Sequence, residues 1–265
     1  MTLERTRTPV ALAAEPGITA KEGEALARAL AADFVALLED LSPAEWAAVT
    51  PCDPWTVKDI AAHLLGWADA LCSPREMGAQ FRKAVGRRKR FASILDAHND
   101  VQVEAGRALS NETVLDRLRV MLPRAAKVRR RLGGPLHYVP AYAGFLGGTF
   151  NLGYLLNAVF PRDLLVHALD VAHATGRDLA IGEAGHRVAA DMLKDWARRT
   201  NADATIELTG PAGGTYVAEA GRRATISAPT GAIVQRLAGR QPAAVIAIDG
   251  DTAAAERWLR AGCPV

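Results

Sequence analysis

Asp163 and His167 stand four residues apart in Pro161–Gly176 (PRDLLVHALDVAHATG), an otherwise apolar stretch, and Asp170 follows three residues later. At helical spacing these side chains stack along one face. A carboxylate and an imidazole set among Leu164, Leu165, Val166, Leu169 and Val171 are costly to bury without partners. A shared divalent cation would remove that cost, because carboxylate oxygen and imidazole nitrogen both suit zinc-like metals. The third donor must come from another helix, and His63 is the candidate: it follows Ile60 by three and precedes Trp67 by four, which puts it on an inward face. A set of two His and one carboxylate leaves coordination positions open, the mark of a reactive rather than a structural metal site. A plainer arrangement also satisfies the spacing, with Asp163 and His167 as a hydrogen-bonded pair and His63 paired to Asp59 on its own helix.

Other polar residues sit near this frame. Asn99 and Gln102 are three apart and follow Leu95, so they either face inward or lie on a helix surface. Asp170 can orient a ligand His or carry a proton, or it makes a buried structural hydrogen bond. Tyr138 and Tyr142 either line an entrance or pin down the loop that holds them. Cys52 precedes the His63 helix with nothing nearby in sequence to mark it as a nucleophile, and His98, His137 and His186 have no partners at ligand spacing.

The elements that must position these groups are mostly helical. Residues 1–19 read as a flexible tail. Leu26, Leu30, Phe34, Leu37, Leu38 and Leu41 repeat at helical spacing from about Ala20. A second helix opens at Thr56, with Asp59 three places on as in a capping box. A third is expected over about Phe91–Leu109, and a fourth over Glu112–Leu132 with Asn111 as its cap. Residues 133–148 (GGPLHYVPAYAGFLGG) read as an irregular loop with the composition of a mobile lid. A fifth helix, about Phe150–Thr175, is apolar on nearly every face, hence buried, and stops at Gly176; another spans about Glu183–Arg199. Beyond Asn201 come short alternating segments, Thr205–Leu208, Thr215–Ala218, Ala224–Ser227 and Ala243–Ile248, interleaved with helical patterns at Gly231–Leu237 and Thr252–Arg260. The expected organisation is a helical bundle over residues 20–180 and a small α+β domain over 181–265.

Composition narrows the classes. A hydrophobic fraction of 49% is enough for a sizeable core, while a net charge of +3 is too small to argue for nucleic acid. The basic residues Arg82, Lys83, Arg87, Arg88, Lys89 and Arg90 read as a solvated face or as an anion-attracting rim. Cys52, Cys72 and Cys263 form no Cys-x-x-Cys pair and leave an odd number, as expected in a reducing compartment. No apolar run has the length of a membrane span and the first residues lack the apolar core of a signal peptide, so the expectation is a cytoplasmic protein.

Two segments carry a family resemblance. WTVKDIAAHLLGW (Trp55–Trp67) resembles the first motif of the maleylpyruvate isomerase-like, mycothiol-dependent family, and LGYLLNAVFPRDLLVHALDVAHATGR (Leu152–Arg177) resembles its second. The resemblance runs from roughly Ala20 to the end of the chain. It implies a mainly α fold, a DinB-like or YfiT-like four-helix bundle followed by a small sterol-carrier-like α+β domain. It also implies a divalent metal, commonly zinc, on positions that match His63, Asp163 and His167; relatives often carry Glu where Asp163 stands, and Arg where Ala168 and His173 stand. Amides like Asn99 and Gln102 are implied to contact co-substrate or to support a ligand. In the C-terminal region GGTYVAEAG, the Leu237–Arg240 run and Trp258 resemble the family's smaller domain, from which an Arg approaches the active site; Arg240 is the matching position.

The function so implied is a metal- and mycothiol-dependent isomerase or thiol S-transferase acting on a small electrophilic metabolite, carboxylated ones included. A thiol-independent hydrolase, lyase or isomerase on the same metal is the alternative within enzymes, and a small-ligand-binding module is the alternative outside them. A small-molecule substrate, neither nucleic acid nor membrane as partner, and a monomer or homodimer complete the expectation.

Overall fold

The computed structural model describes residues 8–143, 148–210, 213–242 and 244–264. The chain divides into two compact units, Ile18–Leu179, and Ala180–Val265 together with Met1–Gly17. Strand β1 (Val10–Ala11) belongs to the second of these.

The first unit begins with α1 (Ala20–Glu39), where the Thr19 hydroxyl accepts from the Glu22 N–H and the Glu22 carboxylate accepts from the Thr19 N–H. The short α2 (Pro43–Trp46) and the long α3 (Val57–Cys72) carry the same reciprocal cap, at Ser42 with Glu45 and at Thr56 with Asp59. The second of these is the start read from the sequence. Next come α4 (Pro74–Arg87), α5 (Ile94–Arg107) and α6 (Asn111–Gly133). Helix α5 begins later than Phe91 because Ser93 and Asp96 supply its cap, and Ser110 rather than Asn111 caps α6 by accepting from the Thr113 N–H.

The long apolar segment is not one uninterrupted helix from Phe150. Phe150 lies in β3 (Gly148–Asn151), antiparallel to β2 (Pro140–Ala143), so the expected irregular loop over 133–148 holds a paired strand; residues 144–147 of it lie outside the described residues. The helix then runs through α7 (Leu152–Tyr154), a π turn at Leu155–Val159 and α8 (Phe160–Thr175). Pro161 accounts for the π turn: its ring would clash with the carbonyl of Asn157 in a regular helix and it has no N–H to give there, so a wider turn relieves both. Helix α1 comes so close to that carbonyl that a Cβ on Gly23 would sit 2.8 Å from it. Gly176 ends α8 with φ 66°, the left-handed stop expected of it.

Helices α1, α3, α6 and α8 pack on one another around Phe34, Leu38, Ile60, Leu118 and Leu165, all at most 2% exposed, while α5 lies against α3 and α4. The fold is mainly α, as expected.

In the second unit α9 (Glu183–Thr200) is followed by β4 (Ala204–Thr209), β5 (Gly214–Ala218), β6 (Ala224–Pro229), α10 (Thr230–Leu237), β7 (Ala247–Gly250) and α11 (Thr252–Ala261). Among the described residues the sheet order is β1-β5-β4-β6-β7, with β4 parallel to β6. Ala204, Ile206 and Leu208 of β4 and Ala224, Ile226 and Ala228 of β6 alternate inward, as a sheet covered on one face requires. Trp196 of α9, fully buried, donates its indole N–H to the Trp258 carbonyl at 2.7 Å. The flexible tail expected over 1–19 is corrected from Val10 to Pro16: β1 pairs with β5, Leu12 is 2% exposed, and Lys194 and Arg187 donate to the carbonyls of Glu15 and Pro16. The strand expected at Ala243–Ile248 forms instead at β7, four residues on, and Ala243 lies outside the described residues. Among the described residues no helix is long and apolar enough to cross a membrane.

Candidate metal centre

Helix α3 turns the apolar side chains Ile60 and Leu64 into the bundle, and His63, between them in sequence, goes the same way and is 3% exposed. Helix α8 places Asp163 and His167 on its facing side. The His63 Nε2 lies 3.6 Å from one Asp163 oxygen and the His167 Nε2 lies 3.3 Å from the other. One donor atom from each residue falls within 4.8 Å of the others.

These separations bear on the two readings of the spacing. The 3.3 and 3.6 Å contacts are long for charge-assisted hydrogen bonds, which centre on ~2.7–2.9 Å. A cation with bonds of ~2.1 Å and tetrahedral angles keeps neighbouring donors roughly 3.4 Å apart. The donor set therefore fits a zinc-like ion. Pairing of His63 with Asp59 does not occur: the Asp59 oxygens accept from Arg107 at 2.7 and 2.9 Å and hold the cap of α3.

The far nitrogen of each imidazole is also engaged. His167 Nδ1 faces Asp170 Oδ2 at 3.2 Å, and Asp170 is 0% exposed. His63 Nδ1 faces Gln102 Oε1 at 3.1 Å. Gln102 in turn donates to Gln80 Oε1 at 3.1 Å, and Gln80 donates to the carbonyl of Gly66 at 3.1 Å and to Glu76 at 3.0 Å. A backbone carbonyl can only accept, so it fixes which end of the Gln80 amide faces it. That fixes Gln102, which presents an acceptor to His63 Nδ1. His63 then carries its proton on Nδ1 and turns the Nε2 lone pair toward Asp163. Gly66 is needed twice, since a Cβ there would come within 2.5 Å of the Gln102 side chain. The Trp55 ring covers the pair of imidazoles, 4.8 Å from His63 and 5.9 Å from His167.

In the metal-free protein the three groups share charge unequally. Burial, with the neighbouring His167, pushes His63 down, even against the pull of Asp163. Burial also opposes charge on His167, but Asp163 and Asp170 outweigh it and push that group up to about 9. Burial likewise opposes the Asp163 carboxylate, yet the two imidazoles hold it well below the usual carboxylate range. His167 thus keeps a proton at neutral pH that a metal must displace. Zinc affinity is expected to fall about tenfold per pH unit as pH drops from about 8 to 6, because each ion bound releases one proton. Chelator competition at several pH values checks this; a flat profile would contradict it.

Of the other residues singled out, Gln102 joins the centre through His63, and Asp170 stands behind His167, away from its Nε2. Asn99 makes no hydrogen bond to the centre among the described residues, where its buried Oδ1 has no partner. Arg240 lies just past α10 in the second unit, where its Nη1 donates to the Ala238 carbonyl at 3.2 Å. Tyr138 is 83% exposed. The side chain of Tyr142 lies outside the described residues. His98, stacked on Phe81 and edge-on to Trp67, is pushed down to about 4 by burial and by His63 and stays neutral. In the basic stretch Arg87 pairs with Asp100 and Glu104, and Arg82, Lys83, Arg88, Lys89 and Arg90 are exposed. Arg177 ends the second motif by binding Glu45 and the Asp40 carbonyl, a structural use. Sequence reasoning missed Gln80 and Trp55, and it set aside Cys52, whose sulfur lies within 4.8 Å of donor atoms of His167 and Asp170. Cys52 had no spacing signal because it sits on a loop rather than on a helix face.

Residues 27–141 match the family model of the mycothiol maleylpyruvate isomerase N-terminal domain, a range that includes His63 and Gln102. A crystal structure of the mycothiol-dependent maleylpyruvate isomerase matches at 18% identity and a TM-score of 0.58, covering 91% of this chain and 95% of that chain. A mutant of that enzyme matches at 17% identity with the same TM-score, 0.58, and covers 91% of this chain and 95% of that chain. At such identities the likeness is one of fold. No curated protein matches. Residues 27–141 thus match the N-terminal domain of mycothiol maleylpyruvate isomerases, and over most of its length the chain is similar in fold to such an isomerase.

Proposed function

We propose that the chain is a mycothiol-dependent isomerase of a small electrophilic metabolite, working with a zinc-like divalent cation held by His63, Asp163 and His167. The observation that carries the metal part is the spacing of the three donors, with both imidazoles oriented from behind. The thiol part follows from the likeness to isomerases described as mycothiol-dependent. A divalent cation bound there would favour thiolate over thiol at neutral pH.

The residues of the chain would do the rest. His63 and His167 are 4% and 5% exposed at their side chains and Asp163 is 20% exposed, so a reactant reaches the centre from the Asp163 side. Trp55 over the imidazoles keeps water from the opposite side. The thiolate sulfur adds to one carbon of an activated double bond, and the π electrons move to the activating group. Rotation about the new single bond and expulsion of the thiolate return the thiol with the alkene inverted, so no net oxidation or proton change occurs. If the anionic adduct instead takes back from water the proton that the thiol gave up, the thioether stays and the same site performs thiol transfer. Arg240 enters this reading only through the family resemblance, as a substrate-recognition residue; Arg240→Gln should then raise KM.

The test is turnover of activated cis-alkenes by zinc-loaded protein with and without mycothiol. Strict dependence on the thiol is expected. Equal activity without it would support a hydrolase, lyase or isomerase that uses the metal alone, and no turnover across a broad panel would support a binding module.

A further inference from the structure

Behind His167, away from Asp163, stands a second set of donors that suit a metal. One donor atom each of Cys52, His167 and Asp170 falls within 4.8 Å of the other two. On that side His167 presents Nδ1, 3.2 Å from Asp170 Oδ2, a separation close to the roughly 3.4 Å that a zinc-like ion imposes on neighbouring donors. Asp170 is fully buried and Cys52 is half-buried, so a cation would enter past the sulfur.

The loop that carries Cys52 is tied in place. Thr50 gives both its N–H and its hydroxyl to the Trp55 carbonyl, at 2.9 and 2.8 Å, and its hydroxyl oxygen accepts from the Cys52 N–H at 3.2 Å. The Trp55 N–H donates to the Cys52 carbonyl at 2.8 Å, and a bridge between Val49 and Thr56 closes the loop at its base. The turn that lays the Trp55 ring against the imidazoles therefore also brings the Cys52 sulfur to the Asp170 side of one of them.

We propose that Cys52, His167 Nδ1 and Asp170 form a second cation site, weaker than the first and suited to a thiophilic divalent ion. A thiolate, an imidazole nitrogen and a carboxylate oxygen are the donors that zinc and its cobalt(II) and cadmium substitutes take. With the first ion on Nε2, an ion on Nδ1 makes His167 an imidazolate bridge. Two protons then leave as the second ion binds, one from the Cys52 thiol and one from His167 Nδ1. Removing both opposes the second ion, which is why its site is the weaker. The proposal goes beyond the centre described above and shares only His167 with it.

Metal titration tests this without thiol or substrate, so a failure here is distinct from a failure of the first centre. Full-length protein is titrated with cobalt(II) and followed by absorption. The first equivalent should give the visible bands of a site without sulfur; the second should add an intense thiolate-to-cobalt band in the near ultraviolet. Cys52→Ser should bind one equivalent and lack that band. His63→Ala removes a ligand of the first site alone and should keep it. In wild type, saturating cadmium should also slow alkylation of Cys52 by about tenfold or more, with Cys72 and Cys263 unaffected, as read by peptide mass spectrometry. A wild type that stops at one equivalent without a sulfur band, or a band that survives Cys52→Ser, overturns the proposal. A band lost in His63→Ala overturns it too, because the sulfur would then belong to the first ion.

Discussion

His167→Ala is expected to cost zinc affinity on the order of a thousandfold, and thiol-dependent turnover with it. The ligand atom lost is one of three protein donors, and Asp170 does not replace it at the same point, since it approaches the other ring nitrogen. Asp163 would be left facing His63 alone, 3.6 Å away. If the pair were a mere buried hydrogen bond, the same change would lower thermal stability and leave metal content as it was. His98→Leu is the matched control. His98 is as buried as His167 but, among the described residues, both its nitrogens lack hydrogen-bond partners, so an apolar replacement of similar size should keep zinc stoichiometry and not lower Tm. Metal analysis of the three proteins after identical zinc loading and desalting reads the difference. Equal zinc in wild type and His167→Ala would remove the basis for the centre.

How far the sequence discloses this arrangement depends on whether each residue leaves a periodic trace. His63, Asp163 and His167 do, because an ionisable group inside an apolar helix face interrupts a pattern that is otherwise regular. Gln102 does so more weakly, three residues from Asn99, and the structure sets Gln102 against the His63 ring while the Asn99 Oδ1 has no partner among the described residues. Gln80 leaves no trace: it lies on α4, a helix of mostly exposed residues, and its partner on α5 is 22 positions away. The fold shows the same division. Capped helices are local and legible; β1 is two residues long and finds β5 some two hundred positions on, so no local pattern can announce it. At Phe150 an apolar run passes from strand to helix without a change in hydrophobicity, and only the pairing of β2 with β3 marks the boundary.

The amide chain behind His63 makes a prediction that a purely structural role would not. Gln80 does not touch His63, yet removing it should change which nitrogen of that ring is protonated. In the wild type the Gly66 carbonyl fixes Gln80, Gln80 fixes Gln102, and the Gln102 carbonyl oxygen holds the proton on His63 Nδ1. Gln80→Leu leaves Gln102 free to turn its amide, and with the NH₂ end toward the ring the favoured proton moves to Nε2, the atom a metal needs. Zinc affinity should then fall by about ten- to a hundredfold, the usual effect of losing the partner of a ligand His. Gln102→Leu should lose a similar amount. Gly66→Ala should join them, since its methyl would meet Gln102 at 2.5 Å. Nitrogen-15 NMR of metal-free protein distinguishes the two tautomers directly and separates this effect from loose packing, which would lower stability while leaving Nδ1 protonated. If Gln80→Leu shows an unchanged tautomer and unchanged zinc affinity, the two glutamines merely fill the space between α3, α4 and α5.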